Sequence, residues 1–239
     1  MNLNNLKELA IESAREAGEY LLKNKNSQKA IFSEQGRDIK LEIDRSTEKL
    51  IRASLKKSEI GILGEEYGGE SDAGLVWVID PIDGTANYFR GLDQCCISIA
   101  LMDNDQALLG VIYNFNTNEL FHAQHNQGAF LNDVSISVSN LSDKKKAYLT
   151  TGFPASESVE SSLDLLNGLK EWKKIRMFGS AALSCAYIAS GRCDAYIETG
   201  VYLWDFAAGI CLVNEAGGRV QYSKIDSERY SVKFDNSCL

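Results

Sequence analysis

The 239-residue chain predicts a mixed α/β (α+β) fold. An amphipathic helical stripe opens it, short apolar segments separated by turn signals fill residues 75 to 139, and beyond Lys145 helical and strand-like segments alternate. At 44% hydrophobic, a chain of this length buries a substantial core. The change of pattern suggests two closely packed subdomains, 1–145 and 146–239, forming one functional unit.

Leu6, Ala10, Ala14, Ala17 and Leu21 share one stripe of the N-terminal helix. Charges from Lys7 to Glu19 interrupt its apolar pattern, which excludes a signal peptide, and no apolar run approaches the roughly 20 residues of a membrane span. A cytoplasmic protein with no membrane partner is expected. A polar stretch, "KNSQKAIFSEQGRDIK", precedes a second helix across "DRSTEKLIRASLKKS", with Leu50, Ile51 and Leu55 as its apolar face. Ile60 to Leu63 reads as a short strand ending at Gly64, and turn-rich "YGGESDAG" leads into "LVWVID", apolar enough to be a strand covered on both faces.

"CCISIALM", "ALLGVIYN" and "ELFHAQ", separated by "DND" and "NTN", read as an antiparallel meander, and "GAFLND" and "VSISVS" add shorter strands. Further on come a strand "AYLTTGF", a helix "SVESSLDLLNGLKEW" and a strand "KIRMFG". The helix "SAALSCAYIASG" takes Ser180 as N-cap and Gly191 as its stop. A strand "CDAYIE", a helix "DFAAGICLVNEAGG" and a last strand around "GRVQY" complete the order.

Lys+Arg of 25 against Asp+Glu of 33 leaves a net charge of -8, which argues against nucleic acid as a partner, and "KKK" at Lys144 to Lys146 reads as a solvated loop rather than a basic patch. The six cysteines show no CxxC pairing and read as reduced core residues, with Cys238 the exposed thiol.

Three carboxylate groups stand beside long apolar runs: "ILGEE", "WVIDPID" and "YLWDFAAG". Converging acids of this kind repel one another in a low dielectric, a conflict that bound divalent cations remove. In the middle group Pro81 ends the strand, Asp80 sits at its carboxyl end and Asp83 lies one turn on. Gly84 lets a ligand approach the backbone, and Thr85 opens a helix whose free N–H groups suit phosphate. Asp-Gly is also a common turn pair, and taken alone this stretch reads as a turn.

Other residues have plainer readings. His122 and His125 fall on opposite faces of a strand, which does not favour a metal pair. Arg176 and Arg192 read as exposed or capping, Glu66, turned away from the site if its segment stays extended, as solvated or standing behind the site, and Tyr67, Trp77 and Trp204 as packing residues. Asp44 either caps the second helix or serves a site.

The chain resembles the inositol monophosphatase family, within the magnesium-dependent, lithium-sensitive sugar phosphatases. The matching residues are "GEE" at 64–66, "WVIDPIDGTANY" from Trp77, "SIAL" at 98–101, "GAFLN" at 128–132, "GSAA" at 179–182, and "WDFAAG" with "EAGG" between Trp204 and Gly218. The resemblance implies a layered αβαβα sandwich of the sugar-phosphatase type, assembled as a homodimer. It implies metal ligands at Glu65, Asp80, Asp83 and Asp205 with the Ile82 carbonyl, for two or three Mg²⁺ ions, and inhibition by Li⁺. Gly84 and Thr85 would present N–H groups to phosphate, while Glu65 and Thr85, with Asp44 near a third metal, would serve catalysis. Asp83, Ser180, Ala181 and Glu198 would meet substrate.

The implied reaction is hydrolysis of a small polyol or sugar phosphate, inositol monophosphate first. The alternatives are fructose 1,6-bisphosphate, nucleotide 3′-phosphate, histidinol phosphate or NADP as substrate, or a non-catalytic regulatory role on the same fold. Metal-activated water needs no covalent residue, and the chain has no "GxSxG" and only two histidines. It departs from the family in carrying Asp93 where a proline is usual, in lacking a lysine at the start of "FSEQGRDIK", for which Lys40 could substitute, and in ending at "FDNSCL" where the family usually continues through a further strand and a final helix.

Overall fold

The computed structural model describes residues 2–25, 31–35, 38–69, 74–153 and 167–239. Helix α1 (Leu3–Asn24) is capped by the Asn2 side chain, which accepts the Asn5 N–H at 2.9 Å, and its predicted stripe is buried. The polar stretch that follows holds a hairpin, β1 (Ile31–Gln35) with β2 (Asp38–Leu41), which its composition did not announce. Helix α2 (Glu42–Leu55) ends in a 3₁₀ turn at Lys56–Ser58. Its apolar face differs from expectation: Ile51 and Leu55 are buried, but Leu50 is 43% exposed, and Asp44, Thr47, Glu48 and Ser54 complete the buried side.

A seven-stranded sheet follows chain order: β3 (Gly61–Gly64), β4 (Leu75–Asp83), β5 (Cys96–Asp103), β6 (Gln106–Asn114), β7 (Glu119–Gln124), β8 (Ala129–Leu131) and β9 (Val134–Ile136). Only β3 and β4 are parallel; the rest is the expected meander. Alternation divides two cores. Trp77 and Ile79 of β4 with Ile97, Ile99 and Leu101 of β5 face α1 and α2, while Val76, Val78, Cys96, Ala100 and Met102 face the opposite layer.

Pro81 does not end β4. The strand continues to Asp83 through a register shift, Asp80 opposite Ser98 and Asp83 opposite Cys96, which inserts one extra residue. A bulge tolerates proline because the residue without an N–H leaves no ladder bond unmade.

The second sheet orders β11 (Lys174–Arg176), β10 (Tyr148–Thr151), β12 (Ala195–Tyr202), β14 (Arg229–Asp235) and β13 (Arg219–Lys224). The strand at "GRVQY" is therefore not the last. β14 follows it and inserts antiparallel between β12 and β13, burying Val232 and Phe234 at a spacing of two. Between the sheets lie α4 (Ala181–Ala189) and α5 (Leu203–Glu215), both rich in buried residues. Ser180 caps α4 as predicted, accepting the Leu183 N–H at 3.1 Å. Residues 158–166 of the helix expected across "SVESSLDLLNGLKEW" lie outside the described residues, as does the Lys40 side chain. Among the described residues no helix is long and apolar enough to cross a membrane.

Candidate functional site

A cavity of about 580 Å³ opens between the end of β4, the N-termini of α4 and α5, and β12. Glu65, Asp80, Ile82, Asp83, Gly84, Thr85, Ser180, Ala181, Glu198 and Asp205 all line it. Asp44, buried in the first turn of α2, does not. The parity that turns Val76 and Val78 toward the helix layer turns Asp80 the same way, and the bulge brings Asp83 beside it.

Four of the acids are held by hydrogen bonds. Asp80 Oδ1 accepts the Ile82 N–H at 2.9 Å. Asp83 is turned toward the N-terminus of α4: Oδ2 accepts Ser180 Oγ at 2.5 Å and the Ala182 N–H at 2.7 Å, and Oδ1 accepts the Ala181 N–H at 3.3 Å. Asp205, on the first turn of α5, accepts the Tyr202 N–H at 2.8 Å. Glu198 accepts the Tyr196 hydroxyl at 3.0 Å.

Gly84 links β4 to the short helix α3 (Thr85–Arg90) with φ 90°, and any Cβ there would meet the Gln94 carbonyl oxygen at 2.8 Å. Glycine is needed for both reasons. Thr85 Oγ1 donates to the Ile82 carbonyl at 2.9 Å.

Burial pushes the Asp80 carboxyl well above the usual range, and repulsion from Glu65, Asp83 and Asp205 adds to it. Asp205 is raised by burial and then by Asp83. Burial lifts Asp83 to about 6 against the hydrogen bonds from Ser180, Ala182 and Ala181, and Glu198 to about 7. Mutually repelling carboxylates around a backbone carbonyl are hard oxygen donors that a small divalent cation would satisfy. Among the described residues no three His, Cys, Asp or Glu side chains already stand in ligating geometry. Both Asp83 oxygens are committed to α4, so the donor set matches such a cation in chemistry, with Asp83 hydrogen-bonded elsewhere.

The structure also brings in residues that sequence reasoning passed over. Asn87 of α3 ties the cleft together, its Nδ2 donating to the carbonyls of Gln94 at 2.6 Å and Phe178 at 2.7 Å. Trp204, read as packing, lines the cleft and stacks on Tyr202 at 4.8 Å and 5°. Met177, 55% exposed, lies at the same rim. Glu48, fully buried on α2, accepts the Glu66 N–H at 2.7 Å across a turn at Glu65–Tyr67. That turn replaces the extended segment from which Glu66 was judged solvated. The available signal was the spacing of Glu48 and Arg52, four apart on one helix face.

His122 lies in β7, stacks on Phe130 and meets Asp133 at 3.2 Å, whereas His125 falls in the turn beyond the strand's end at Gln124, not on its opposite face, and contacts Gln106 and Glu215. Arg192 pairs with Glu119 at 2.6 Å, Arg176 lies over Tyr148, and Trp77 is fully buried. Asp93 accepts Lys25 Nζ at 3.1 Å and, through its carbonyl, Asn114 Nδ2 at 3.0 Å, so it anchors the loop after α3 to the end of α1.

Two sheets enclosing a helix layer, with a carboxylate-lined cleft at the strand ends, form a phosphatase-type fold. The sequence model of the inositol monophosphatase family matches residues 2–233. The chain is 40% identical over 238 residues to the Nus factor SuhB of Xylella fastidiosa, spanning 96% of this chain and 86% of that protein. It is 37% identical over 221 residues to that of Escherichia coli K12, spanning 89% and 83%. The solved structure of an inositol monophosphatase from Anabaena matches with a TM-score of 0.87 at 31% identity, covering 100% of this chain and 93% of that one. This chain belongs to the inositol monophosphatase family.

Proposed function

We propose that the protein hydrolyses a small polyol or sugar phosphate monoester with Mg²⁺, inositol monophosphate being the first substrate to test. The observation that carries this reading is the meeting of Glu65, Asp80, Asp83 and Asp205 in one cleft beside the Gly84–Thr85 turn. Asp80, Asp83, Asp205, Glu65 and the Ile82 carbonyl would hold two or three ions, and Asp83 would exchange hydrogen bonds from α4 for a cation. Bound Mg²⁺ lowers the pKa of water and neutralises charge on phosphate oxygens.

The chain's own residues supply the remainder. Thr85 commits its hydroxyl proton to the Ile82 carbonyl, which leaves its oxygen able to accept a hydrogen bond from an attacking water, whose proton the Glu65 carboxylate would take. The N–H groups of Gly84 and Thr85 would take phosphate oxygens. Glu198, Ser180 and Ala181 would meet substrate hydroxyls, and Asp44 would act from behind the cleft near a third ion.

Asp83→Asn tests the reading. It should abolish phosphate release and the Mg²⁺-induced rise in Tm while the circular dichroism spectrum stays native. Wild-type protein that releases no phosphate from inositol, fructose bisphosphate, nucleotide 3′-, histidinol and NADP phosphates would overturn it, and kcat/KM in direct competition would choose among them. A cytoplasmic homodimer belongs to the same reading and is checked by sedimentation.

A second reading, a Nus-factor role, is favoured by the names of the two SuhB relatives. Arg45 and Lys49 also lie 5.2 and 5.7 Å from the Tyr67 ring, a basic pair in a chain of net charge -8. Stoichiometric capture of a transcription protein by both wild type and Asp83→Asn, with no turnover, would support it.

A further inference from the structure

The Glu48 carboxylate is fully buried, lies outside the cleft and has no part in the chemistry above. Donors surround it. Arg52 Nε donates to Oε1 at 2.7 Å, the Glu66 N–H to Oε2 at 2.7 Å and the Tyr67 N–H to Oε1 at 3.3 Å. Arg52 also donates Nη1 to the Ile62 carbonyl at 3.3 Å and Nη2 to the Gly68 carbonyl. One ion pair therefore grips strand β3 before the Glu65–Tyr67 turn, two N–H groups inside it and a carbonyl after it. The remaining turn N–H, that of Glu65, donates to the Ile79 carbonyl of β4 at 3.3 Å.

Gly64 belongs to the same arrangement. A Cβ there would overlap Glu48 Oε1 and stand 2.7 Å from its Cδ and 2.9 Å from Arg52 Nη2. A buried ion pair is weak evidence for stability, because desolvation offsets its attraction. Four directional bonds, two from consecutive turn amides and two to flanking carbonyls, do something more specific: they set backbone dihedrals. The side chain projecting from that backbone is Glu65, which lines the cleft next to Asp80 and repels it.

We propose that the Glu48–Arg52 pair is a positioning clamp, which sets the Glu65–Tyr67 backbone from α2 and thereby aims the Glu65 carboxylate into the cleft. The metal-binding part of this inference rests on the ligand role proposed for Glu65; the backbone part stands without it. Neither clamp residue touches substrate.

The test uses full-length protein carrying Glu48→Gln, Arg52→Lys or Gly64→Ala, the lysine variant retaining charge where the others fail to fold. Backbone hydrogen exchange at Glu66 and Tyr67 should accelerate about tenfold or more in Glu48→Gln and Arg52→Lys, with the α1 amides unchanged. Calorimetric titration of metal-free protein with Mn²⁺ should show a Kd weakened by about 10- to 100-fold, as loss of groups behind a ligand typically does. With a phosphate ester kcat should fall while KM stays within about twofold. Adding Gly64→Ala to Glu48→Gln should weaken Mn²⁺ binding less than Gly64→Ala does alone, because both act on one contact. Unchanged exchange at Glu66 and Tyr67 in the folded variants would overturn the clamp. Faster exchange with unaltered Mn²⁺ affinity would overturn its action on Glu65. Wild-type protein that binds no Mn²⁺ would defeat the ligand reading, while the exchange measurement still decides the clamp.

Discussion

Gly84→Ala puts a methyl group where the backbone leaves neither a favourable dihedral nor space. Gly84 has φ 90°, and the three nearest atoms to an added Cβ are the carbonyl oxygens of Gln94 at 2.8 Å and Gly179 at 3.1 Å and the Cα of Cys95 at 3.3 Å. All three are main-chain atoms, so no side chain can rotate away. The left-handed conformation costs an alanine roughly 1–2 kcal/mol. Forcing backbone apart in a packed region costs about 1–3 kcal/mol more, and the stiffer unfolded chain returns about 0.4–1 kcal/mol. The expected net loss is roughly 2–4 kcal/mol, or a Tm lower by about 5–12 °C for a chain of this size. Urea denaturation followed by circular dichroism and tryptophan fluorescence reads it, with Gly61→Ala, where nothing lies within 4 Å, as the control. A loss under about 0.5 kcal/mol would refute the reasoning, since neither steric term would then operate.

Two other outcomes follow from single residues. Burial holds the His122 imidazole below its usual pKa of 6.5 despite the raising contact with Asp133. The unfolded chain then takes up the proton first, so this contribution to stability is complete above the unfolded pKa and declines as pH falls through it. His122→Gln should flatten the drop in urea midpoint between about pH 7.5 and 5.5, and an undiminished slope would clear His122 as its cause. Glu198→Gln removes a half-buried carboxylate that lines the cleft. Phosphatase kcat/KM should fall by about 10- to 100-fold, mainly through KM, with little loss of folding; an effect confined to Tm would assign the residue to structure alone.

Legibility followed the length scale of each signal. The α1 stripe, the strands from Cys96 to Gln124 and the Ser180 cap were readable because each rests on a periodicity or cap within a few residues. β14 also carried a local signal, Tyr230, Val232 and Phe234 at a spacing of two, but its place between β12 and β13 depends on pairing with residues far along the chain. The hairpin β1–β2 lacks an apolar alternation strong enough to mark it. Glu48 was missed because its donors sit 18 and 19 residues away in a turn whose shape no local pattern encodes.

By itself the sequence determined the placement of carboxylates at the ends of apolar segments, the Gly84–Thr85 turn and the family to which these motifs belong. Those are matters of residue type and short spacing, which folding does not alter. Tertiary structure alone decided the rest. It carried Pro81 through a bulge, turned Asp83 onto the N-terminus of α4, kept Asp44 out of the cleft, placed Trp204 in its wall and set Glu48 beneath the Glu65 turn. Each of these depends on contacts between elements distant along the chain, and burial among those contacts, absent from any single segment, is what lifts Asp80 and Asp205 from ordinary carboxylates to strongly perturbed ones.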